Sequence, residues 1–346
     1  MKMKVLMYLN VVMLLFLIQC TEKEKMIGTM TVIKEIPLEK PMMLSTITEV
    51  EGNYAAYNYI DRTFVLISPE GKTLWTYDNQ GKGPGEYSAG IGIYGYYNKT
   101  MYVVDNVVSK IMLFTYDDVK QTFAFTEEYL FNDGQGIDSL FITETGRVLV
   151  PVPIGKNGLV ETDLKCTVVN RYLPQALPSE DADDLKAMMD ADFALAGNDT
   201  WLMRGNIFSN VIQFMKKTDS GYEMIKSRNA LRSSKKTSDK QTTGNSESVN
   251  VVLTAMGVIA LKFVHEHYYI MIATPADEKE SIVEVYDTNG RYKGYYLLEG
   301  ERDEQIRRVD FCNDGSFVFM KSRKNEAGKM RPDMNKLYIG KFEDTK

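Results

Sequence analysis

Trp75 to Tyr87 reads WTYDNQGKGPGEY, and the reading of this stretch decides the fold. An aromatic strand end, Leu74 to Tyr77, runs into a turn built of Gly81, Gly83, Pro84 and Gly85, then closes on Glu86 and Tyr87. Three glycines around one proline ask for positive φ at some positions and a fixed φ at another. Side-chain chemistry is nearly absent from the turn itself. The stretch is therefore an architectural joint, where one sheet edge hands the chain to the next sheet.

Upstream of the joint, short β-like runs follow one another. Thr29 to Ile36 alternates and is rich in β-branched residues, and Pro37 and Pro41 punctuate it. Thr46–Val50, Tyr54–Ile60, Phe64–Ile67 and Thr73–Tyr77 come next, with Ser68-Pro69-Glu70-Gly71 suited to a type I turn. Downstream the same order recurs in Met101–Asp105, Ile111–Tyr116 and Thr122–Phe125. Looser copies run from Ser139 to Val169, Asp199 to Gly221, Lys262 to Leu298 and Ile306 to Phe342. Asn289-Gly290 and Asp314-Gly315 supply hairpin turns. Six four-stranded units at about 50-residue spacing predict an all-β, six-bladed β-propeller of antiparallel blades. The length of the fifth unit leaves seven open. The Thr29–Ile36 strand precedes the first unit, so its expected use is to complete the last blade and close the ring.

Two segments break the repeat. Pro178 to Leu195 is acidic and helix-prone, with Ser179 placed to cap it and Leu185, Met188 and Met189 at helical spacing. It reads as a short helix covering one blade end, or as a lid or partner surface. Ser227 to Asn250 is polar, basic in its first half and rich in Ser and Thr, and reads as a loop.

The N-terminus reads as an address. Lys2 and Lys4 precede an apolar run from Val5 to Ile18, too short to span a bilayer and fitting a signal-peptide core. The run stops at Cys20, and Thr21 to Lys25 turns polar. This order resembles a bacterial lipoprotein signal, with Gln19 standing where a small residue is usual; the alternative is an uncleaved anchor. The domain reading is thus a signal peptide over 1–19, a lipidated Cys20 with a tether over 20–28, and the propeller over 29–346. The chain has 41 Lys and Arg against 47 Asp and Glu, and loss of Lys2 and Lys4 with the leader leaves 39 basic residues and a net charge of −8. That disfavours nucleic acid as a partner.

The heptapeptide Gly81-Lys82-Gly83-Pro84-Gly85-Glu86-Tyr87 resembles the G-x-GPGEY signature of six-bladed β-propeller lipoproteins abundant in Bacteroidetes, relatives by fold of NHL-repeat proteins. Tyr102 to Asp105 followed by Ile111 to Asp117 looks like that family's repeat. The resemblance covers about residues 27 to 346 and implies a fold and an extracytoplasmic, outer-membrane address rather than an activity.

Chemistry is sparse. The two histidines, His265 and His267, would share one face of a strand, a spacing that can bind a metal, but two ligands are too few. No G-x-S-x-G nucleophile elbow occurs. Asp61, Asp105, Asp117, Asp287 and Asp310 fall at strand ends or turns, where Asp bonds nearby amides. The sharper reading gathers them as inward carboxylates holding Ca²⁺ at one mouth of the propeller. Glu86 is read as pairing or capping locally. Cys166 and Cys312 fall in the third and sixth units, too far apart for a disulfide, and are expected to be free thiols. Two functions remain: a non-catalytic binding or scaffold module with a protein or glycan ligand and no cofactor, or a metal-dependent hydrolase, lactonase or lyase in the central channel.

Overall fold

The computed structural model of the chain describes residues 25–88, 91–131, 137, 139–151, 159–165, 167–172, 193–206, 211–229, 240–241, 250–251, 258–272, 281–298, 304–312, 314–324 and 330–345. Every regular element among them is a strand.

Four separate four-stranded antiparallel sheets account for the middle of the chain. Sheet I holds β2 (Leu44–Val50), β3 (Asn53–Asn58), β4 (Thr63–Ile67) and β5 (Thr73–Tyr77). Sheet II holds β6 (Ile91–Tyr97), β7 (Thr100–Asp105), β8 (Lys110–Asp117) and β9 (Thr122–Leu130). Sheet III holds β10 (Phe141–Ile142), β11 (Val148–Pro151), β12 (Leu159–Thr162) and β13 (Val168–Tyr172). Sheet IV holds β14 (Phe193–Gly197), β15 (Trp201–Asn206), β16 (Val211–Thr218) and β17 (Gly221–Asn229). A two-stranded ribbon, β18 (Lys240–Gln241) with β19 (Asn250–Val251), follows.

The remaining strands form one nine-stranded sheet rather than the fifth and sixth separate units that the sequence predicts. One half is β20 (Val258–Val264), β21 (His267–Ile272), β22 (Ser281–Asp287) and β23 (Tyr292–Leu298). The other is β24 (Glu304–Phe311), β25 (Ser316–Lys324) and β27 (Lys336–Asp344), with β26 (Met330–Pro332) paired to β25. The N-terminal strand β1 (Met26–Pro37) joins the halves. It pairs antiparallel with β27 from Gly28↔Asp344 to Pro37↔Lys336, and its first residues pair in parallel with β23, Met26 opposite Tyr295. The fusion lies at the start of β1: Met26, Gly28 and Thr29 pair with β23 while the strand from Gly28 on pairs with β27.

Apolar clusters fill the spaces between sheets. Tyr57, Phe64 and Leu66 of sheet I meet Met101, Met112 and Phe114 of sheet II. Tyr102, Val104 and Ile111 turn to Val148, Val150 and Val160 of sheet III. Leu149, Leu159 and Tyr172 meet Leu202, Met215 and Tyr222 of sheet IV. Met203, Ile212 and Phe214 meet Tyr268, Ile270 and Tyr286. Met271, Val283 and Val285 pack on Phe317, Phe319 and Tyr338. The last cluster sets Val318, Leu337 and Ile339 against Leu44, Ala56 and Val65 of sheet I. Adjacent residues of one strand serve different clusters, so both faces are buried and the central strands read as unbroken apolar runs. The arrangement is β-propeller-like: small antiparallel sheets packed face to face in chain order.

Several expectations change. Ile91–Tyr97 is a strand that the sequence reading passed over. Residues 193–195, expected as the end of a helix, open β14, and the rest of that stretch lies outside the described residues. His265 (φ 48°) and Glu266 (φ 62°) are not in a strand; they are the two central residues of a turn between β20 and β21. Positive φ at both positions is type I′ geometry, which suits the twist of a hairpin. The same geometry recurs at Glu51 and Gly52 (φ 48° and 80°) and at Asn98 and Lys99 (φ 46° and 59°).

Candidate functional site

The joint is built almost wholly from backbone groups and a few anchored side chains. Gly81 N donates to Tyr87 O at 2.9 Å and Tyr87 N to Asn79 O at 3.0 Å. Glu86 caps locally, as its position implied: its Oε2 accepts from Gly83 N at 2.7 Å. Gly85 sits at φ 71°, and a Cβ there would press on the Phe125 ring and the Tyr77 hydroxyl. That hydroxyl donates to Gly85 O at 2.5 Å. Tyr87 is buried against Phe64, ring centroids 5.0 Å apart, and donates to Arg62 O at 2.7 Å. Pro84 and Lys82 stay exposed.

A buried cation that sequence reasoning missed holds the joint to sheet II. Lys110 is 2% exposed, and its Nζ donates to Glu86 O at 2.6 Å and lies 3.0 Å from Glu128 Oε2. Glu128 also accepts from Gly85 N at 2.9 Å. The signal was a lone lysine heading the apolar run Ile111 to Phe114. Beside it, fully buried Asp105 accepts from Ser88 N (2.7 Å), Ser88 Oγ (2.6 Å) and Val107 N (3.2 Å). A carboxylate with three donors is a structural fixture.

Two turns flank the joint, 59–62 from sheet I and 106–109 from sheet II. Both lie where a second strand passes to a third, the end of the sheets at which the joint also sits. They carry large exposed apolar side chains: Tyr59 41%, Ile60 49% and Val107 63% exposed, with Leu130 at 58% where β9 leaves sheet II. Tyr59 N donates to Met43 O at 2.9 Å, and Met43 is itself exposed.

The aspartates do not gather. Asp61 pairs with Lys40 at 2.5 Å and accepts from Asn58. Asp117 accepts from Lys120 N and Val119 N, and chiefly the amide and ammonium group of Lys120 hold its carboxyl below the usual range. Asp287 accepts from Asn289 N and Arg291 N. These are turn devices. No group of three or more His, Cys, Asp or Glu among the described residues could hold a metal ion.

Asp310 differs. The first strands of the sheets stand beside one another: β2 touches β6 and β24, and β20 touches β14 and β24. The pairing of β2, β6, β20 and β24 with their second strands is each interrupted by a bulge, and bulges re-aim side chains. Asp310 follows the bulge in β24. Its Oδ2 accepts from Thr48 Oγ1 of β2 at 3.1 Å and its Oδ1 from Phe311 N at 2.9 Å. Burial raises its proton affinity, and Lys262 on β20 and the Thr48 bond oppose that. Strands from sheet I and from both halves of the nine-stranded sheet thus converge on one carboxyl.

Another buried carboxylate, Glu161, lies between sheets III and IV. It pairs with Arg147 at 2.5 Å, accepts from the Tyr172 hydroxyl, and has Lys217 at 3.9 Å. His267 Nδ1 lies 2.8 Å from His265 O, a contact within their own turn. Cys312 is buried as a free thiol, its pKa pushed up to about 12 by burial. Cys20 and Cys166 lie outside the described residues.

No protein-family model matches the sequence, and no curated protein does. Solved structures do match. An exported protein from Bacteroides fragilis aligns with TM-score 0.56 at 11% identity over 94% of this chain and 98% of its own. A DUF4221 family member from Bacteroides vulgatus aligns with TM-score 0.56 at 14% identity over 92% and 99%. The calcium-binding protein regucalcin from Agrobacterium tumefaciens aligns with TM-score 0.52 at 10% identity over 92% and 96%. At such identities the likeness shows the fold alone.

Proposed function

We propose that this chain is a lipid-anchored extracytoplasmic propeller of six blades that holds a protein or glycan ligand. The six-blade reading takes the nine-stranded sheet as two blades fused by β1, and it is supported by six apolar clusters that lead from sheet to sheet and return to the first. The anchor reading rests on the Lys-apolar-Cys20 order and on the G-x-GPGEY resemblance. The Bacteroides exported neighbour is consistent with that address.

The observation that carries the binding reading is the exposed apolar set around the joint. Tyr59, Ile60, Val107 and Leu130 stand on a scaffold pinned by Tyr87 and Lys110. Contiguous exposed apolar side chains mark interaction sites, and an exposed tyrosine offers both a sugar-stacking face and a hydroxyl. The test is a ligand search with the domain from residue 26 onward against envelope glycans and envelope proteins. A combined Tyr59→Ala, Ile60→Ser, Val107→Ser variant should lose the captured ligand while melting at the parent temperature. Retention of the ligand by that variant would move the site elsewhere.

A second reading is a metal-dependent hydrolase, lactonase or lyase with its site among the converging first strands, where Asp310 is the one carboxyl that two sheets meet on, although no group of three metal-ligating side chains occurs there among the described residues. Under it, added Ca²⁺ raises the melting temperature of the parent and not of Asp310→Asn. Equal curves for both would exclude it.

A further inference from the structure

We infer that the chain meets the bilayer through one pole only, the surface around the start of β1, and that sheets II and III form the opposite pole. This rests on the anchoring reading above. The occupant of the β1 pole is a lipid surface, and the argument is one of length.

From Cys20 to Met26 the tether spans at most about 20 Å when fully extended. A compact body of some 320 residues has a radius of gyration of about 20 Å and is therefore about 50 Å across. The leash is shorter than the body. Turning the far side to the membrane would lift the attachment point to about 50 Å, beyond its reach. Only a cap of surface around the attachment point touches lipid.

The structure fixes that point. Tyr295 N donates to Lys25 O at 2.9 Å, and Thr345 N donates to Ile27 O at 2.8 Å. Gly28 pairs with Asp344 and Met26 with Tyr295. The leash therefore leaves from between β23 and β27, where β1 joins the halves of the nine-stranded sheet, and cannot swing from a loose end. In packing order the halves of that sheet abut sheets IV and I, and sheets II and III stand between those two. Val119, 93% exposed on the β8–β9 turn, belongs to sheet II and so to the far pole by this packing order.

The experiment uses full-length lipidated protein in phosphatidylcholine vesicles carrying a nitroxide-headgroup lipid. In a Cys166→Ser background, with Cys312 buried and Cys20 acylated, a fluorophore is placed by Glu343→Cys or by Val119→Cys. Mass spectrometry first establishes the lipid on Cys20. Quenching should be several-fold stronger at position 343 than at 119, and a twelve-residue Gly-Ser insertion after Lys25 should erase the contrast. Equal or reversed quenching with Cys20 lipidated overturns the orientation and leaves the anchor standing. An unacylated Cys20 in the membrane fraction overturns both.

Discussion

Lys110 shows what a single side chain does here. Its ammonium group is withdrawn from water and joins two backbone carbonyls of the joint to Glu128. Lys110→Met keeps most of the volume and leaves Glu128 and Glu86 O without their cation. Removing one partner of such a pair is expected to cost about 3 kcal/mol, discounted for the quarter-exposed Glu128, read as a lowered denaturation midpoint. A midpoint unchanged from the parent would mean that water serves the joint equally well. Asp310 makes the converse case. Its folded-state proton affinity is raised, chiefly by burial, so the native state binds more protons than the unfolded chain, whose aspartate titrates near about 3.9. Stability from this group therefore falls as pH rises from that value through the raised one. Asp310→Asn should remove that decline and melt no lower than the parent at pH 7. Asp314 runs the other way: the Ser316 hydroxyl and amide lower its pKa, so its contribution is present above the unfolded value and is lost as pH falls through the depressed one. An Asp314→Ala protein should lose less stability than the parent on acidification, in urea titrations across that window. The turn role of Asp314 was legible in the Asp-Gly pair, but those of Lys110 and Asp310 were not. Residue type and local spacing marked Asp310 as one of five equivalent turn aspartates, and only the meeting of β2, β20 and β24 separates it from the others.

At the scale of elements, strands with a strong apolar period were legible and those defined by close approach were not. Phe64–Ile67 and Ile111–Tyr116 announce themselves by burial on both faces. Ile91–Tyr97 carries two glycines, and a Cβ at Gly95 would crowd Ile142 of the next sheet; glycine there answers to packing, which no local pattern reveals. The His265-Glu266 turn was hidden because neither residue is a usual type I′ former. In β1, Gly28 lies where a Cβ would meet the Glu343 carbonyl and the Tyr296 ring. Gly28→Val is expected to cost about 2 kcal/mol by overpacking and to raise hydrogen exchange in β1 and the end of β27, with sheets I to IV still protected. Uniform loss of protection would show that β1 and the four sheets unfold together.

For the whole molecule, the β-propeller-like succession of small antiparallel sheets and the pairing of the N-terminal strand with the last strand could be read from runs and turns, because each sheet repeats one pattern of burial, while the count of six separate units could not. The nine-stranded sheet in place of a fifth and a sixth unit was hidden, since it depends on the start of β1, Met26 to Thr29, pairing with β23 as well as β27. A chain whose four-stranded and nine-stranded sheets each share clusters with two neighbours should unfold in one calorimetric transition. Removing residues 26–37 should lower its midpoint and split or broaden it, whereas an identical transition would show that β1 contributes nothing to cooperativity. The strand that fastens the sheets is also the strand nearest the proposed leash. Tension on an anchored molecule would thus enter through Met26 and run along β1, loading its ladder with β27 in shear over the pairs from Gly28 to Pro37, so that many hydrogen bonds share the force instead of parting one at a time. The clasp that completes the fold is in this sense also a mechanical mooring, and its rupture force, more than its equilibrium stability, would set how long the body stays folded under drag.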